Sequence, residues 1–105
     1  MSDRLSQLLS MHEADPGDVF CAYAIAMEHA KAGQTEEAVG WFDETLKLDP
    51  SHAYACYHKA RLLGEVGRTE EALAAIEAGV RIAEASDDGK AADELAELRR
   101  SLGGG

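Results

Sequence analysis

Hydrophobic residues in this chain recur with the spacing of an amphipathic helix. In the first segment, residues 3–14, one face follows positions i, i+3, i+4 and i+7: Leu5, Leu8, Leu9 and His12. Such a stripe is typical of a helix that turns one face toward a core. The residue before a proline disfavours the helical conformation, so Asp15-Pro16 is predicted to end this first helix.

The same kind of spacing predicts five further helices, separated by short polar or glycine-containing connections. They run from Asp18 to about Ala32, from Thr35 to Leu48, from about Ser51 or His52 to Val66, from Thr69 to Ala85 and from about Asp88 to Leu102. Asp18 and Thr35 are the residues expected to cap their helices. No window alternates apolar and polar positions with β-branched side chains, so no strand is predicted.

A seven-residue phrase occurs twice, 34 residues apart. Residues 33–39 read Gly-Gln-Thr-Glu-Glu-Ala-Val, and residues 67–73 read Gly-Arg-Thr-Glu-Glu-Ala-Leu. In each copy we expect the glycine to adopt a left-handed helix end, the threonine to cap the next helix, and the glutamates to meet its positive dipole end. Residues 16–49 align with 50–83 without a gap, so the phrase belongs to a longer repeat.

A period of 34 residues with two helices per unit resembles the tetratricopeptide repeat. The small residue in the first helix of that repeat is kept as Ala26 and Ala60. Its later A-x3-F pattern is kept as Ala38 and Phe42 in the first copy. The family's opening W-x2-L-G-x2-Y pattern is otherwise replaced in both copies, so the match is specific but degenerate.

The resemblance implies an all-α fold, a right-handed stack of antiparallel helix pairs (an α-α superhelix) with six helices and two full repeats. We expect one domain over residues 1–105. Its parts would be a half-repeat helix at 3–14, repeats at 16–49 and 50–85, a capping helix at 88–102 and a flexible tail at 103–105. A repeat cannot bury its apolar face alone, so the end helices would cover it. The layout is similar to that of small standalone bacterial proteins of the family.

Charge and composition exclude several classes of partner. Twenty acidic residues against ten basic ones give a net charge of -10, and no basic stripe is present to neutralise phosphates. Nucleic acid and anionic membrane surfaces are therefore not expected as ligands. No signal sequence and no apolar run of about 20 residues is visible, and the two cysteines fit a reducing compartment. These features predict a cytoplasmic protein.

In tetratricopeptide proteins, the first helix of each repeat lines a concave groove. Matching residue to residue, the resemblance implies a peptide-binding groove formed by eight residues: Phe20, Tyr23, Met27 and Lys31 from the first copy, and Tyr54, Tyr57, His58 and Arg61 from the second. Aromatic side chains with a few hydrogen-bond donors suit an extended peptide or a helix laid into a groove. The alternative is that Tyr23 and Tyr57 are framework residues, or that some of the set pack under the end helices.

The sequence contains no convincing catalytic or metal site. His52 and Cys56 share a helix face, but His58 lies about 200° around the helix from Cys56 and cannot join them. A structural zinc site needs four ligands, so neither a metal nor another cofactor is predicted. Cys56 has no evident base beside it, and no phosphate-binding glycine loop occurs.

The predicted function is therefore a non-catalytic protein–protein interaction scaffold, either a monomer or a weak homodimer. The alternative is an assembly module that self-associates through the apolar side of an end helix. Trp41 is the large aromatic residue outside the groove set. It either plugs a junction between helices or stands exposed as a second contact patch, and the packing role is favoured because tryptophan is usually mostly buried.

Overall fold

Six α-helices and no strand make up residues 3–103, the part of the chain that the computed structural model describes. The helices are α1 (Asp3–Ala14), α2 (Val19–Lys31), α3 (Thr35–Leu48), α4 (Ala53–Glu65), α5 (Thr69–Ala85) and α6 (Gly89–Leu102). The prediction of an all-α fold with six helices is confirmed, and each predicted boundary lies within two residues of the observed one. None of these helices has the length and apolar character needed to cross a membrane.

Three helices begin with a side-chain cap. Asp18, His52 and Asp88 each accept a hydrogen bond from the backbone N–H three residues further on, at 3.1–3.3 Å. These bonds satisfy amide groups that have no partner within the first helical turn. The predicted cap at Asp18 is confirmed, and His52 performs the same task through its Nδ1 atom.

The prediction that Thr35 and Thr69 cap their helices is wrong. Both are the first helical residues, and the cap positions belong to Gln34 and Arg68, neither of which makes a side-chain capping bond. Only one residue separates each turn glycine from the first helical residue. That residue takes the cap position, one place earlier than the sequence pattern indicated. At the second site, the Arg68 guanidinium instead donates to the Glu71 carboxylate at 2.6 and 2.8 Å, which lowers the pKa of Glu71.

Both turn glycines adopt the left-handed conformation that the phrase predicts. Gly33 has φ 74° and Gly67 has φ 83°. Around each, two backbone N–H groups bond back to the preceding helix: Gly33 to Ala30 and Gln34 to His29, then Gly67 to Gly64 and Arg68 to Leu63. This paired arrangement is the Schellman motif, which satisfies the last carbonyl groups of a helix. Asp87 closes α5 in the same way with φ 56°.

The described helices form two compact units that divide after Pro50. The division falls beside the predicted repeat boundary at residues 49 and 50. Each unit contains one helical hairpin and one end helix: α1 with α2 and α3, then α6 with α4 and α5. The assignment of residues 1–105 to one domain stays a prediction. Of the predicted tail, Gly103 donates its N–H to Arg99, and residues 104–105 lie outside the described part.

The core of the first unit is a cluster under the end helix. Its buried members are Leu5 and Leu8 from α1 with Cys21 and Ile25 from α2, and Leu9, Ala24 and Trp41 pack against them. Phe42 is fully buried between the hairpin helices, with its ring centroid 6.2 Å from that of Tyr23. The apolar stripe read from the first segment is therefore the face that α1 buries.

The end helix α6 covers the core of the second unit. Leu95 is fully buried against Ala60, Ala75 and Ile76, and Leu98 and Leu102 pack at the edge of the same cluster. The apolar face of α6 thus packs against the α4–α5 hairpin. The close approach depends on small residues, because a Cβ at Gly79 would lie 3.0 Å from a Leu95 methyl carbon.

Candidate functional site

The first repeat presents its four predicted binding residues as one stripe on α2. Phe20, Tyr23, Met27 and Lys31 follow at i, i+3, i+7 and i+11, which keeps them on one face of a helix. Phe20 is 74% exposed, Tyr23 and Met27 are half-buried, and Lys31 is exposed. Burial raises the pKa of the Tyr23 hydroxyl, so this group stays protonated and able to donate at neutral pH.

An ion-pair cluster holds the far end of that stripe. The Glu28 carboxylate lies 3.1 Å from Lys31 Nζ and 3.3 Å from Arg4 Nε, so it links α2 to α1. Both basic side chains are mostly exposed, whereas the Glu28 side chain is only 12% exposed.

The second repeat presents its four predicted residues on α4. Tyr54, Tyr57, His58 and Arg61 follow at i, i+3, i+4 and i+7. The Tyr57 ring stands edge-on to Tyr54 at a centroid distance of 6.2 Å and to the His58 ring at 5.1 Å. Aromatic rings in this arrangement hold one another in place. Arg61 is exposed and lies 3.7 Å from Glu65.

Tyr54 and Tyr57 form an aromatic row on α4, and the end helix α6 lies along it. The Tyr54 hydroxyl donates to the Glu94 carboxylate at 2.5 Å. Tyr57 then lines a 300 Å³ cavity with four residues of α6: Glu94, Glu97, Leu98 and Ser101. These residues of α6 form a wall that is partly acidic and partly apolar. No local pattern indicates it, since Tyr54 and Glu94 are 40 residues apart.

His58 lies in a partly desolvated position beside this wall. Its pKa is lowered below the ordinary value, first by burial and then by the positive charge of Arg61, while Glu94 acts in the opposite direction. The ring is consequently neutral at pH 7, with one nitrogen that donates and one that accepts a hydrogen bond. A neutral imidazole suits a peptide backbone better than it suits a carboxylate.

Both cysteines, Cys21 and Cys56, are buried, and neither takes part in a disulfide. The Cys21 thiol donates to the carbonyl oxygen of Leu8 at 3.2 Å, and burial together with Asp18 raises its pKa. A raised pKa reduces the thiolate form that nucleophilic catalysis requires. Among residues 3–103, no group of three or more His, Cys, Asp or Glu side chains is placed to hold a metal ion.

Trp41 has the packing role that the sequence favoured. It is half-buried on the core cluster of the first unit. The His12 ring meets it edge-on at a centroid distance of 4.8 Å, so α3 contacts the end of α1 through these two side chains. Trp41 retains an accessible part, which forms one wall of a cavity described below.

Comparison with known proteins places this arrangement among helical repeats. A family model described as anaphase-promoting complex, cyclosome, subunit 3 matches residues 1–79. Superkiller protein 3 of Saccharomyces cerevisiae is 33% identical over 76 residues, which is 72% of this chain. The match spans only 5% of the length of that yeast protein.

Solved structures agree with the helical arrangement. The solution structure of a tetratricopeptide repeat domain protein from Salinibacter ruber is 30% identical, covers 86% of this chain and 91% of that one, and has a TM-score of 0.77. A crystal structure of a tetratricopeptide repeat domain protein from the same organism is 29% identical, covers 83% and 97%, and has a TM-score of 0.73. A protein of Bordetella parapertussis shares the fold at 21% identity, covering 98% and 90% with a TM-score of 0.84.

Proposed function

Because the chain belongs to the tetratricopeptide repeat family, we propose that it is a non-catalytic protein–protein interaction module. Its ligand is an extended peptide or a helix of a partner protein. The binding surfaces are the two first-helix faces, defined as Phe20, Tyr23, Met27 and Lys31 on α2 and Tyr54, Tyr57, His58 and Arg61 on α4. The family is generally used for protein–protein interaction and is typically non-catalytic, which supports this class of function.

The observation that carries the proposal is the aromatic row on α4. Tyr54 and Tyr57 are only half-buried, although each is held by a ring contact or a hydrogen bond. Rigid, partly exposed tyrosines lose little conformational entropy when they bind, which makes them effective anchors in interfaces. The cavity beside Tyr57 is lined by the apolar side chain of Leu98 and by the carboxylates of Glu94 and Glu97. An apolar ligand side chain next to a basic one fits this chemistry.

The test is a comparison of variants against one captured partner. The partner is isolated from a lysate of the source organism, identified, and titrated against the wild type and Tyr57→Ala/Arg61→Glu. We expect the double variant to bind at least tenfold more weakly, because it removes an anchor and reverses a charge. Arg81→Glu is the matched control, since Arg81 is exposed on α5 and the charge change is the same.

The outcome is interpretable only if the double variant folds. Circular dichroism and sedimentation must therefore show native helix content and unchanged mass. A folded double variant that binds the captured partner as tightly as the wild type would exclude the α4 face as the binding surface.

A second candidate function is self-association through the end helix α1. It is favoured by Met11, a large apolar side chain of α1 that is 53% exposed. Analytical ultracentrifugation distinguishes the two functions, because a self-associating module loses apparent mass on dilution. In that case Met11→Glu should return the protein to a constant monomer mass, whereas a peptide-binding monomer keeps the same mass throughout.

A further inference from the structure

An open cavity of 490 Å³ lies in the first unit, away from the first-helix face of α2. Five residues from the N-terminal half and middle of α3 and one residue from the end of α1 line it: Glu36, Glu37, Gly40, Trp41, Glu44 and His12. The α3 residues are three or four positions apart, so they share one face of the helix. The cavity therefore combines an aromatic ring, an imidazole and three carboxylates.

The second repeat shows that the hairpin does not need these side chains. Thirty-four positions later, Glu36 and Glu37 recur, but Gly40, Trp41 and Glu44 are each replaced by alanine: Ala74, Ala75 and Ala78. Both copies nevertheless form the same pair of antiparallel helices. The tryptophan, the glycine and the third carboxylate are thus additions specific to the first copy.

The packing around Gly40 does not explain why this position is a glycine. It lies inside α3, where glycine is less favourable than alanine. A Cβ at this position would meet nothing within 4 Å, so no neighbouring group in the described part excludes a side chain here. The result is open space above the helix backbone, next to Trp41.

His12 contributes a buried polar atom. Its Nδ1 atom is inaccessible to solvent and has no hydrogen-bond partner within residues 3–103. Buried polar atoms of folded proteins are rarely left unpaired, and each one calls for an explanation. Because this atom is closed off from solvent, a ligand in the open cavity does not reach it, and the contribution of His12 is the edge-on ring contact that holds Trp41 in place.

The charge of the cavity identifies the kind of ligand. Glu37 and Glu44 make no ion pair or hydrogen bond with other side chains of the described part, and the chain as a whole carries a net charge of -10. Three carboxylates beside an aromatic ring favour a cation. A planar guanidinium fits better than a compact ammonium group, because it stacks on an indole face while its N–H groups reach carboxylates and other acceptors.

We propose that this cavity binds an arginine side chain from a basic segment of a partner protein. The guanidinium lies against Trp41 above Gly40 and pairs with Glu37 and Glu44. This surface shares no residue with the first-helix faces and extends the protein's interactions to a second, basic partner segment.

The test uses a capped pentapeptide with one central arginine flanked by glycines. Trp41 is the single tryptophan, so its fluorescence reports binding at this cavity directly. We expect a saturable fluorescence change that weakens with added salt. A peptide with citrulline, the neutral isostere of arginine, should bind at least tenfold more weakly, and the lysine peptide several-fold more weakly.

Three variants keep the proposal falsifiable. Gly40→Leu should block the cavity and remove the fluorescence response, and Glu37→Gln/Glu44→Gln should weaken binding about fivefold. Glu70→Gln/Glu77→Gln removes the same charge from α5 and should leave the affinity within twofold. Equal binding of the citrulline or lysine peptide, an undiminished response in folded Gly40→Leu, or no response in the wild type would each overturn the proposal.

The Tyr57→Ala/Arg61→Glu variant should bind the pentapeptide normally, which separates this test from that of the α4 face.

Discussion

Two helix-interior glycines, Gly40 in α3 and Gly79 in α5, have opposite surroundings. A Cβ at Gly79 would lie 2.8 Å from the Cys56 Cβ and 3.0 Å from a Leu95 methyl carbon. Gly79 is therefore the contact that allows α5 to approach both α4 and α6. Gly40 has no such neighbour, so its packing cannot explain why glycine is present.

The same substitution should accordingly have opposite effects at these two positions. Gly79→Ala should lower the free energy of unfolding by about 1–2 kcal/mol, because overpacking outweighs the gain in helix propensity. Gly40→Ala should raise it by about 0.5–1 kcal/mol. Urea denaturation followed by circular dichroism gives both values. Equal stabilisation by the two alanines would show that the α4–α5–α6 contact tolerates an extra methyl group.

At the scale of the elements, three of the described helices end in the same left-handed backbone conformation. Gly33, Gly67 and Asp87 each adopt positive φ where a helix closes. The first two were predictable, because glycine before a polar residue and a new apolar run is a strong helix-end signal. Asp87 was harder to predict, since aspartate tolerates this conformation without requiring it. The sequence marks the break there but does not identify the residue that turns.

Alanine at a turn glycine should cost stability because of its backbone conformation alone. Gly67→Ala should lower the free energy of unfolding by about 1 kcal/mol, since a Cβ at φ 83° is strained although no neighbour lies within 4 Å. Gly89→Ala is the control, because Gly89 begins α6 without a positive φ and with equal space around it. Thermal denaturation of both variants measures the difference. A Gly67→Ala protein as stable as the Gly89→Ala protein would contradict the argument from φ.

At the scale of the whole molecule, the dominant property is the net charge of -10 in 105 residues. Like charges repel one another in the compact state and reduce its stability. Most charged side chains of the ion pairs are exposed, with Glu28 as the exception, so these pairs offset little of this repulsion. Screening by salt should therefore favour the folded state.

Added salt should raise the melting temperature. Between about 10 and 150 mM NaCl the screening length falls from roughly 30 to 8 Å, and we expect an increase of a few degrees, equivalent to about 0.5–1 kcal/mol. Calorimetry at pH 7 measures it, with KCl as the control for an ion-specific effect. A fall in melting temperature with both salts would mean that attractive pairs outweigh the general repulsion.

The sequence by itself determined the helices, their order and the repeat. Apolar spacing, turn glycines and prolines are local signals, and a gapless 34-residue period combines them into two copies of one hairpin. It also placed the eight predicted binding residues on α2 and α4. The prediction that Thr35 and Thr69 are caps was wrong by one residue, because adjacent residues can exchange the roles of cap and first helical residue.

Only the tertiary structure decided which side chains meet. It set Tyr54 against Glu94, placed Tyr57 beside the cavity wall of α6, and brought His12 from α1 onto Trp41 of α3. Such contacts depend on how helices cross and how closely their small residues let them approach. Sequence spacing within one helix carries no information about that distance.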